Sequence, residues 1–279
     1  MKKIIIIIVT ILLLIASIVW KSISYNPHHI TIRSEVLKSS KIDPSLNGTS
    51  IVYFTDLHFG TYTNMDDLDN CVELINKLNP DVIVFGGDLI DSEIEISTEQ
   101  KQEISNKLKS LKASQGKYYI HGNHDLFTVD REDEALEILA AGGFTSLVRT
   151  SFKIYNGTDS YFNIVGVDSL LYGDPEIASA YTDVDSSKYT IGFIHCPDTF
   201  DRLPLENTDY VIAGHSHGGQ IYLPLFDRLY RSKGSEKYFH GKHKKNTTTL
   251  DISNGVGLTR YSIRFNAPAE IVYYKLESK

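Results

Sequence analysis

Five short stretches of this chain end in side chains that bind metals. They are Asp56-Leu57-His58, Gly87-Asp88-Leu89-Ile90-Asp91, Gly122-Asn123-His124-Asp125, His195 and Gly214-His215-Ser216-His217. Carboxylate, imidazole and amide oxygen together suit divalent ions of intermediate hardness. Isolated histidines and aspartates in core, cap or turn roles would be scattered, yet five of the ten histidines (58, 124, 195, 215 and 217) fall in these stretches. The chemistry open to such a set is metal-assisted hydrolysis, of which cleavage of a phosphate ester is one form. That reaction needs a nucleophile at neutral pH and relief of charge on the phosphoryl oxygens. Two ions about 3.5–4 Å apart supply both.

The elements that must position these groups are legible beside them. Each stretch follows an apolar run: Ile51–Phe54, Val82–Phe85, Tyr118–Ile120, Ile191–Ile194 and Tyr210–Ala213. The repeated pattern is a buried strand whose carboxyl end stops in Asp, His or Asn. Loops at strand ends converge in layered α/β folds, so residues far apart in sequence can meet in one crevice. Between the strands, Leu68, Val72, Ile75 and Leu78 mark one face of a helix over 66–78, stopped by Asn79-Pro80. A second amphipathic helix spans 98–113, a strand 117–121, and a third helix about 132–141, ended by Gly142-Gly143. This β-α-β-α-β order predicts a largely parallel sheet with right-handed crossovers. Beyond Thr145, strands Ser146–Tyr155 and Tyr161–Val167 around Asn156-Gly157 predict a hairpin. Strands 189–195, 208–214 and 268–275 complete a second, more antiparallel half. The fold class is α/β, with two mixed sheets facing each other and flanked by helices.

The order D-x-H, G-D-x-x-D, G-N-H-D, H and G-H-x-H resembles the calcineurin-like metallophosphoesterase family, and the match runs from about Ile51 to Tyr274. The strings Gly214–Gln220, Ser253–Gly257 and Arg264–Ile271 are similar to its membrane-anchored bacterial subgroup, which includes UDP-diacylglucosamine diphosphatase-type members. That subgroup more often has Thr where Ser216 stands and Pro where Ala269 stands. The resemblance implies a four-layer α-β-β-α sandwich with two divalent metals (Mn, Fe or Zn) at the sheet edge. It implies Asp56, His58 and His217 on one ion, Asn123, His195 and His215 on the other, and Asp88 bridging both. His124 matches the catalytic histidine, outside the metals' immediate ligands. Asp91 and Asp125 are expected behind the histidines, fixing their tautomers, and His121 is expected to be structural. The implied activity is hydrolysis of phosphodiester or pyrophosphate bonds, on a lipid- or nucleotide-linked substrate at the membrane. The alternatives are a phosphomonoesterase or phosphoprotein phosphatase and, from another class, a metal-dependent scaffold without turnover. Full retention of the seven ligand positions and His124 argues against the scaffold.

Met1-Lys2-Lys3 precedes Ile4–Trp20, an uncharged run about 25 Å long as a helix, at the short end of a bilayer core. Ala16-Ser17-Ile18 is a poor cleavage signal, so an uncleaved signal anchor fits better than a signal peptide. Lys2 and Lys3 before the segment, against Lys21 and Arg33 after it, favour a cytoplasmic N-terminus and a catalytic domain on the outer side of the cell membrane. The expected organisation is an anchor over 1–21, a connector with an edge strand at Ile30–Leu37 over 22–50, and a metallophosphoesterase domain over 51–279. His28-His29 reads as a solvated pair. A formal net charge of -7 argues against a stable nucleic-acid partner. Cys71 and Cys196 cannot make a disulfide framework and read as packed thiols. The basic stretch 225–249 (Arg228, Arg231, Lys233, Lys237, Lys242, Lys244, Lys245) reads either as a contact to anionic lipid or substrate or as a mobile polar loop.

Overall fold

The structure is a computed structural model that describes residues 2–157, 159–224 and 231–279. Its first sheet runs β1 (Thr31–Ser39), β12 (Glu270–Ser278), β2 (Ser50–Phe54), β3 (Val82–Phe85), β4 (Lys117–Tyr119) and β5 (Thr145–Ser146) in spatial order. The second runs β10 (Gly241–Lys245), β11 (Thr248–Ile252), β9 (Tyr210–Ala213), β8 (Thr190–Phe193), β7 (Tyr161–Gly166) and β6 (Thr150–Tyr155).

Alternation along each strand sorts its side chains between layers. Ile51 and Tyr53 of β2 and Val82 and Val84 of β3 enter the space between the sheets, where they meet Phe162, Ile191, Phe193 and Ile212. Val52, Phe54, Ile83 and Phe85 point the other way, onto α2 (Met65–Leu78), α3 (Thr98–Lys109) and α4 (Val129–Ala141). On the far side, Val211, Ala213, Leu250 and Ile252 pack under the one-turn helix α5 (Ile177–Ala180) and the 3-10 turns at Pro197–Arg202 and Leu205–Asn207. Strands buried on both faces read as continuous apolar runs, which is why no polar alternation marks them in the sequence. The expected four layers are present, but the fourth is short turns rather than long helices.

Helix α2 opens on a capping box between Asn64 and Asp67 and closes at Asn79, whose φ of 46° is left-handed. Helix α3 stops at Lys109, short of 113, and α4 begins earlier than expected, where Thr128 caps Arg131 N–H. Two strand expectations are corrected. Ser146 belongs to β5, in the first sheet, and Arg149 at φ 56° turns the chain before the hairpin starts at Thr150. The strand near 268–275 is β12, antiparallel to β2 in the first sheet. The second sheet is mixed and, as expected, the more antiparallel of the two, with antiparallel pairs at β6–β7 and β10–β11 against β12–β2 alone in the first, and its central pairs are parallel. Its crossovers are irregular and lack the helical periodicity that would have announced them.

Part of the basic stretch is strand. Lys242 and Lys244 are exposed on edge strand β10, where charge discourages edge-to-edge association. Lys242 pairs with Glu35, and Lys237 and Lys245 both pair with Asp201. Arg228 lies outside the described residues. Deep between the sheets, Asp251 accepts from Tyr210 (3.0 Å), Tyr274 (2.9 Å) and Arg33 (2.9 Å), and Arg33 also grips Glu270. This network ties β1 and β12 to β9 and β11.

At the N-terminus, α1 (Lys2–Trp20) has no buried residue, and it continues into a widened turn at Lys21–Tyr25. Together they form a helix long and apolar enough to cross a membrane. Exposed His28 binds the partly buried Asp67 and His29 stacks on Tyr25, so the pair is surface packing.

Candidate metal centre

The five stretches converge at the carboxyl ends of β2, β3, β4, β8 and β9. Among the described residues, two groups of potential donors carry the expected pairing. Asp56, His58 and His217 form one and Asp88, His195 and His215 the other, each with ligand atoms within 4.8 Å of one another. A third group, His58, Asp91 and His124, shares His58 with the first. Asp88 sits between the two expected groups. Its Oδ2 is 3.4 Å from His58 Nε2 and 3.3 Å from His195 Nε2, while its Oδ1 accepts His124 N–H at 2.7 Å. His58 and His217 aim their Nε2 atoms at each other, 3.1 Å apart, and the latter is 3.6 Å from Asp56 Oδ1. Asp56 takes the His215 N–H on both oxygens, at 3.0 Å each.

The backbone beneath these groups is strained. Asp56, His58, Asp88, His215 and His217 have φ of 56°, 44°, 59°, 67° and 50°, in the left-handed region that side chains disfavour. Each such residue costs about 1–3 kcal/mol, and such strain clusters where function demands a geometry. Glycine makes the close approach possible. A Cβ on Gly122 would lie 2.1 Å from Asp88 Oδ1, and one on Gly87, itself at φ 95°, would lie 2.1 Å from Gly122 N.

Tautomers are fixed by the backbone. His195 Nδ1 donates to Gly86 O at 2.8 Å, leaving the Nε2 lone pair facing inward. His215 Nε2 donates to Lys233 O at 2.8 Å, leaving Nδ1 as its free donor atom. His124 Nδ1 accepts Ser92 N–H at 3.1 Å, so its proton rests on Nε2. This departs from the expected role of the aspartates. Asp125 accepts N–H bonds from Asp88, Leu89 and Gly122, all at 2.8 Å, and so clamps the β3 and β4 loops together. Asp91 accepts from Thr61 and lies 3.7 Å from His124 Nδ1, beyond hydrogen-bond reach.

Burial sets the charge states. It pushes His58 down to about 3 and His215 down to about 4, and it holds His217 well below the usual imidazole range. It raises Asp56 to about 6. Burial also opposes a charge on His195 and on Asp88, but their mutual attraction prevails, raising His195 to about 9 and holding Asp88 well below the usual carboxylate range. The result is three neutral imidazoles and one imidazolium–carboxylate pair, a pair whose proton a cation replaces on binding. Asn123 Oδ1 and His195 Nε2 are buried without a well-formed hydrogen bond. Orphaned buried polar atoms are rare in protein interiors, and His195 Nε2 lies 3.3 Å from Asp88 Oδ2. The set fits a pair of divalent cations.

Above these groups opens a cavity of about 900 Å³. Its floor includes His58, Asn123, His124, His215 and His217, and its walls include Leu171, Tyr172, Ile221, Phe239 and Tyr261, with Arg231, Lys233 and Arg260. His121 does not face the metals. Its Nδ1 is 3.2 Å from Asp168, which also accepts Ser169 and Asp174 N–H and so anchors the Leu170–Tyr172 wall. Cys196 is buried, its thiol pushed up to about 12 by that burial, as a packed residue should be. One contributor was not assigned a role from sequence. Fully buried Arg264 donates to the carbonyls of Asn254, Gly255, Gly257 and Ala267. Its grip holds the Gly255 loop against Asp56, where a Cβ on Gly255 would come within 2.8 Å of the Asp56 side chain. The signal lay in the strings Ser253–Gly257 and Arg264–Ile271.

Comparison with known proteins agrees with this geometry. The sequence profile described as "Calcineurin-like phosphoesterase" matches residues 49–219. Over 257 residues, 90% of this chain and 87% of the relative, the sequence is 32% identical to the metallophosphoesterase YkuE of Bacillus subtilis (strain 168). It is 25% identical over 231 residues to phosphodiesterase YaeI of Escherichia coli (strain K12), covering 81% of each. It is 28% identical over 211 residues to a transmembrane protein with a metallophosphoesterase domain from Danio rerio, covering 68% of this chain and 47% of that one.

Proposed function

The chain belongs to the calcineurin-like phosphoesterase family, a family of metal-dependent phosphoester hydrolases built on a dimetal centre, and from that premise we propose that it is a membrane-anchored phosphodiesterase or pyrophosphatase. The observation that carries the site assignment is Asp88 Oδ2, which lies within 3.4 Å of one imidazole from each donor group. Asp56, His58 and His217 would hold one ion and Asn123, His195 and His215 the other, with Asp88 shared. Bound there, two divalent ions supply charge neutralisation at the phosphoryl group and a nucleophile at neutral pH; manganese, iron and zinc all suit the donor set. His124 presents its Nε2–H to the cavity, in position to stabilise a phosphoryl oxygen or protonate the leaving oxygen. The diester reading is supported by the name of the Escherichia coli relative.

A lipid- or nucleotide-linked substrate is supported by the mixed walls of the cavity, where apolar Leu171, Ile221 and Phe239 stand beside Arg231 and Lys233. The membrane reading rests on the helix Lys2–Tyr25 and on the name of the Danio rerio relative. With the N-terminus cytoplasmic, the catalytic domain over 51–279 lies outside.

The test is hydrolysis of a generic phosphodiester and a generic phosphomonoester by the full chain in detergent, with added Mn²⁺, Fe²⁺ or Zn²⁺, beside Asp88→Asn. The expected result is metal-dependent diester cleavage that falls by at least about 10³-fold in the variant, on the scale of losing a principal electrostatic group, with an unchanged melting temperature. Undiminished turnover by Asp88→Asn would sink the two-metal assignment. Faster monoester cleavage would favour the phosphatase alternative, and two bound ions without turnover on either substrate would favour the scaffold.

A further inference from the structure

The base of α1 is docked rather than loosely tethered. Ser22 is buried, and its carbonyl accepts Arg264 N–H at 3.0 Å. Asn26 Nδ2 donates to Arg264 O at 2.9 Å. Arg264 is the fully buried residue that braces the loop behind Asp56, so the helix exit is tied to the segment that supports the site. Three residues upstream, Tyr261 is 66% exposed on the wall of the cavity. Phe265, next to Arg264, bridges Ile221, and Tyr222 N–H bonds Phe265 O at 2.8 Å. Ile221 and Leu223, also on the wall, are exposed as well.

The apolar rim of the cavity and the exit of the apolar helix are therefore neighbours through one hydrogen-bonded segment. At the exit itself Trp20, Ile23 and Tyr25 are exposed, with Lys21 among them, and Arg260 stands beside Tyr261 on the rim. Aromatic, aliphatic and basic side chains in this mixture match the headgroup region of a bilayer. Amphipathic rings settle there, and cations meet anionic lipid. We propose that the cavity mouth is seated on the bilayer surface, with Ile221, Leu223 and Tyr261 in the interfacial layer, so that substrate enters from the membrane interface. The proposal rests on reading α1 as a membrane span. Its occupant is a lipid surface, argued from continuity with that span and from the charge and shape of the rim.

The full chain is reconstituted into phosphatidylcholine–phosphatidylglycerol vesicles that contain lipid brominated on the acyl chain near the headgroup. Trp20 is the single tryptophan, so the unmodified protein reports on helix insertion. In a Trp20→Phe background, Tyr261→Trp reports on the rim, and Tyr155→Trp reports on the exposed end of the β6–β7 hairpin. The expected result is quenching of Trp20, quenching of the Tyr261→Trp indole to at least about half that extent, and none for Tyr155→Trp. Quenched Trp20 with a Tyr261→Trp indole as unaffected as the Tyr155→Trp indole would overturn the proposal. Equal quenching at both engineered positions would overturn it too, because no single face would then lie on the lipid. An unquenched Trp20 would instead refute the membrane span, and the seating with it.

Discussion

The floor and the walls of the cavity are built by opposite means. The candidate metal donors of the floor stand at or just past the ends of strands, buried, and several are held by another loop, as Asp56 N–H is by Gly87 O and His58 N–H by Asp88 O. Asp125 clamps two such loops through three backbone bonds, and Gly86 and Lys233 each fix an imidazole through a carbonyl. The walls come from 168–174, 220–224, 231–239 and 259–261, which are connections between elements and carry exposed Tyr172, Ile221 and Tyr261. The floor stores strain at five left-handed residues. The walls are tied by loop-to-loop bonds away from the donors, such as those of Asp168 to His121, Ser169 and Asp174. A rigid floor serves a fixed reaction, and loops on a scaffold are where substrate choice can differ among relatives.

The division is broken most forcefully at His124. With its Nδ1 occupied by Ser92 N–H, this residue can act only through Nε2. His124→Ala should lower kcat by about 10²- to 10⁴-fold, the usual contribution of a positioned acid or base, while metal content by elemental analysis stays at two ions per chain. Loss of metal along with activity would make His124 a ligand, consistent with its grouping with His58 and Asp91, and would redraw the boundary of the floor.

Asp125 sharpens the contrast at smaller scale. It touches backbone only, so Asp125→Asn removes one acceptor oxygen from a three-bond clamp and leaves every donor group in place. Supports of this kind typically cost 10–100-fold in metal affinity or activity. Titration calorimetry with Mn²⁺ should show metal affinity weakened by roughly that factor. An unchanged affinity would show that the loops hold their shape without the clamp.

These two regions also differ in how much of them could be read beforehand. The floor was legible because chemistry restricts it. Asp56, His58, Asp88, Asn123, His195, His215 and His217 had to follow buried strands, and buried strands announce themselves as apolar runs. The β2-β3-β4 centre of the first sheet was legible for the same reason, since α2, α3 and α4 carry clear 3.6-residue periodicity. The second sheet was not. The connections after β7 and β8 contain only α5 and 3-10 turns, too short for a period, so the parallel pairs of β7, β8 and β9 were not marked by crossover helices. β12 returns to the first sheet across almost the whole chain, a long-range choice that local pattern does not encode. The roles of Asp91 and Asp125 were misjudged because sequence proximity to histidine suggested side-chain contact, whereas the backbone supplies those bonds. The walls were legible only in part: the basic stretch 225–249, read as one possible contact to substrate, supplies Arg231 and Lys233, whereas Leu170-Leu171-Tyr172 in sequence is indistinguishable from an ordinary buried turn.

The gentlest test is therefore on a wall. Leu171 lines the cavity and is only partly buried, held through its N–H on Ser169 Oγ at 3.3 Å. Leu171→Ala removes apolar contact area without touching a donor group. Partial loss of one such side chain is worth ~1 kcal/mol, about three- to tenfold in apparent affinity. For a diester with a long apolar substituent, KM should rise by that factor with kcat unchanged, because the lost contact serves ground state and transition state alike. For a short generic diester, both constants should stay within about twofold. A fall in kcat on the short substrate would mean that the 168–174 loop braces the metal donors through His121 and Asp168, and that wall and floor move as one body.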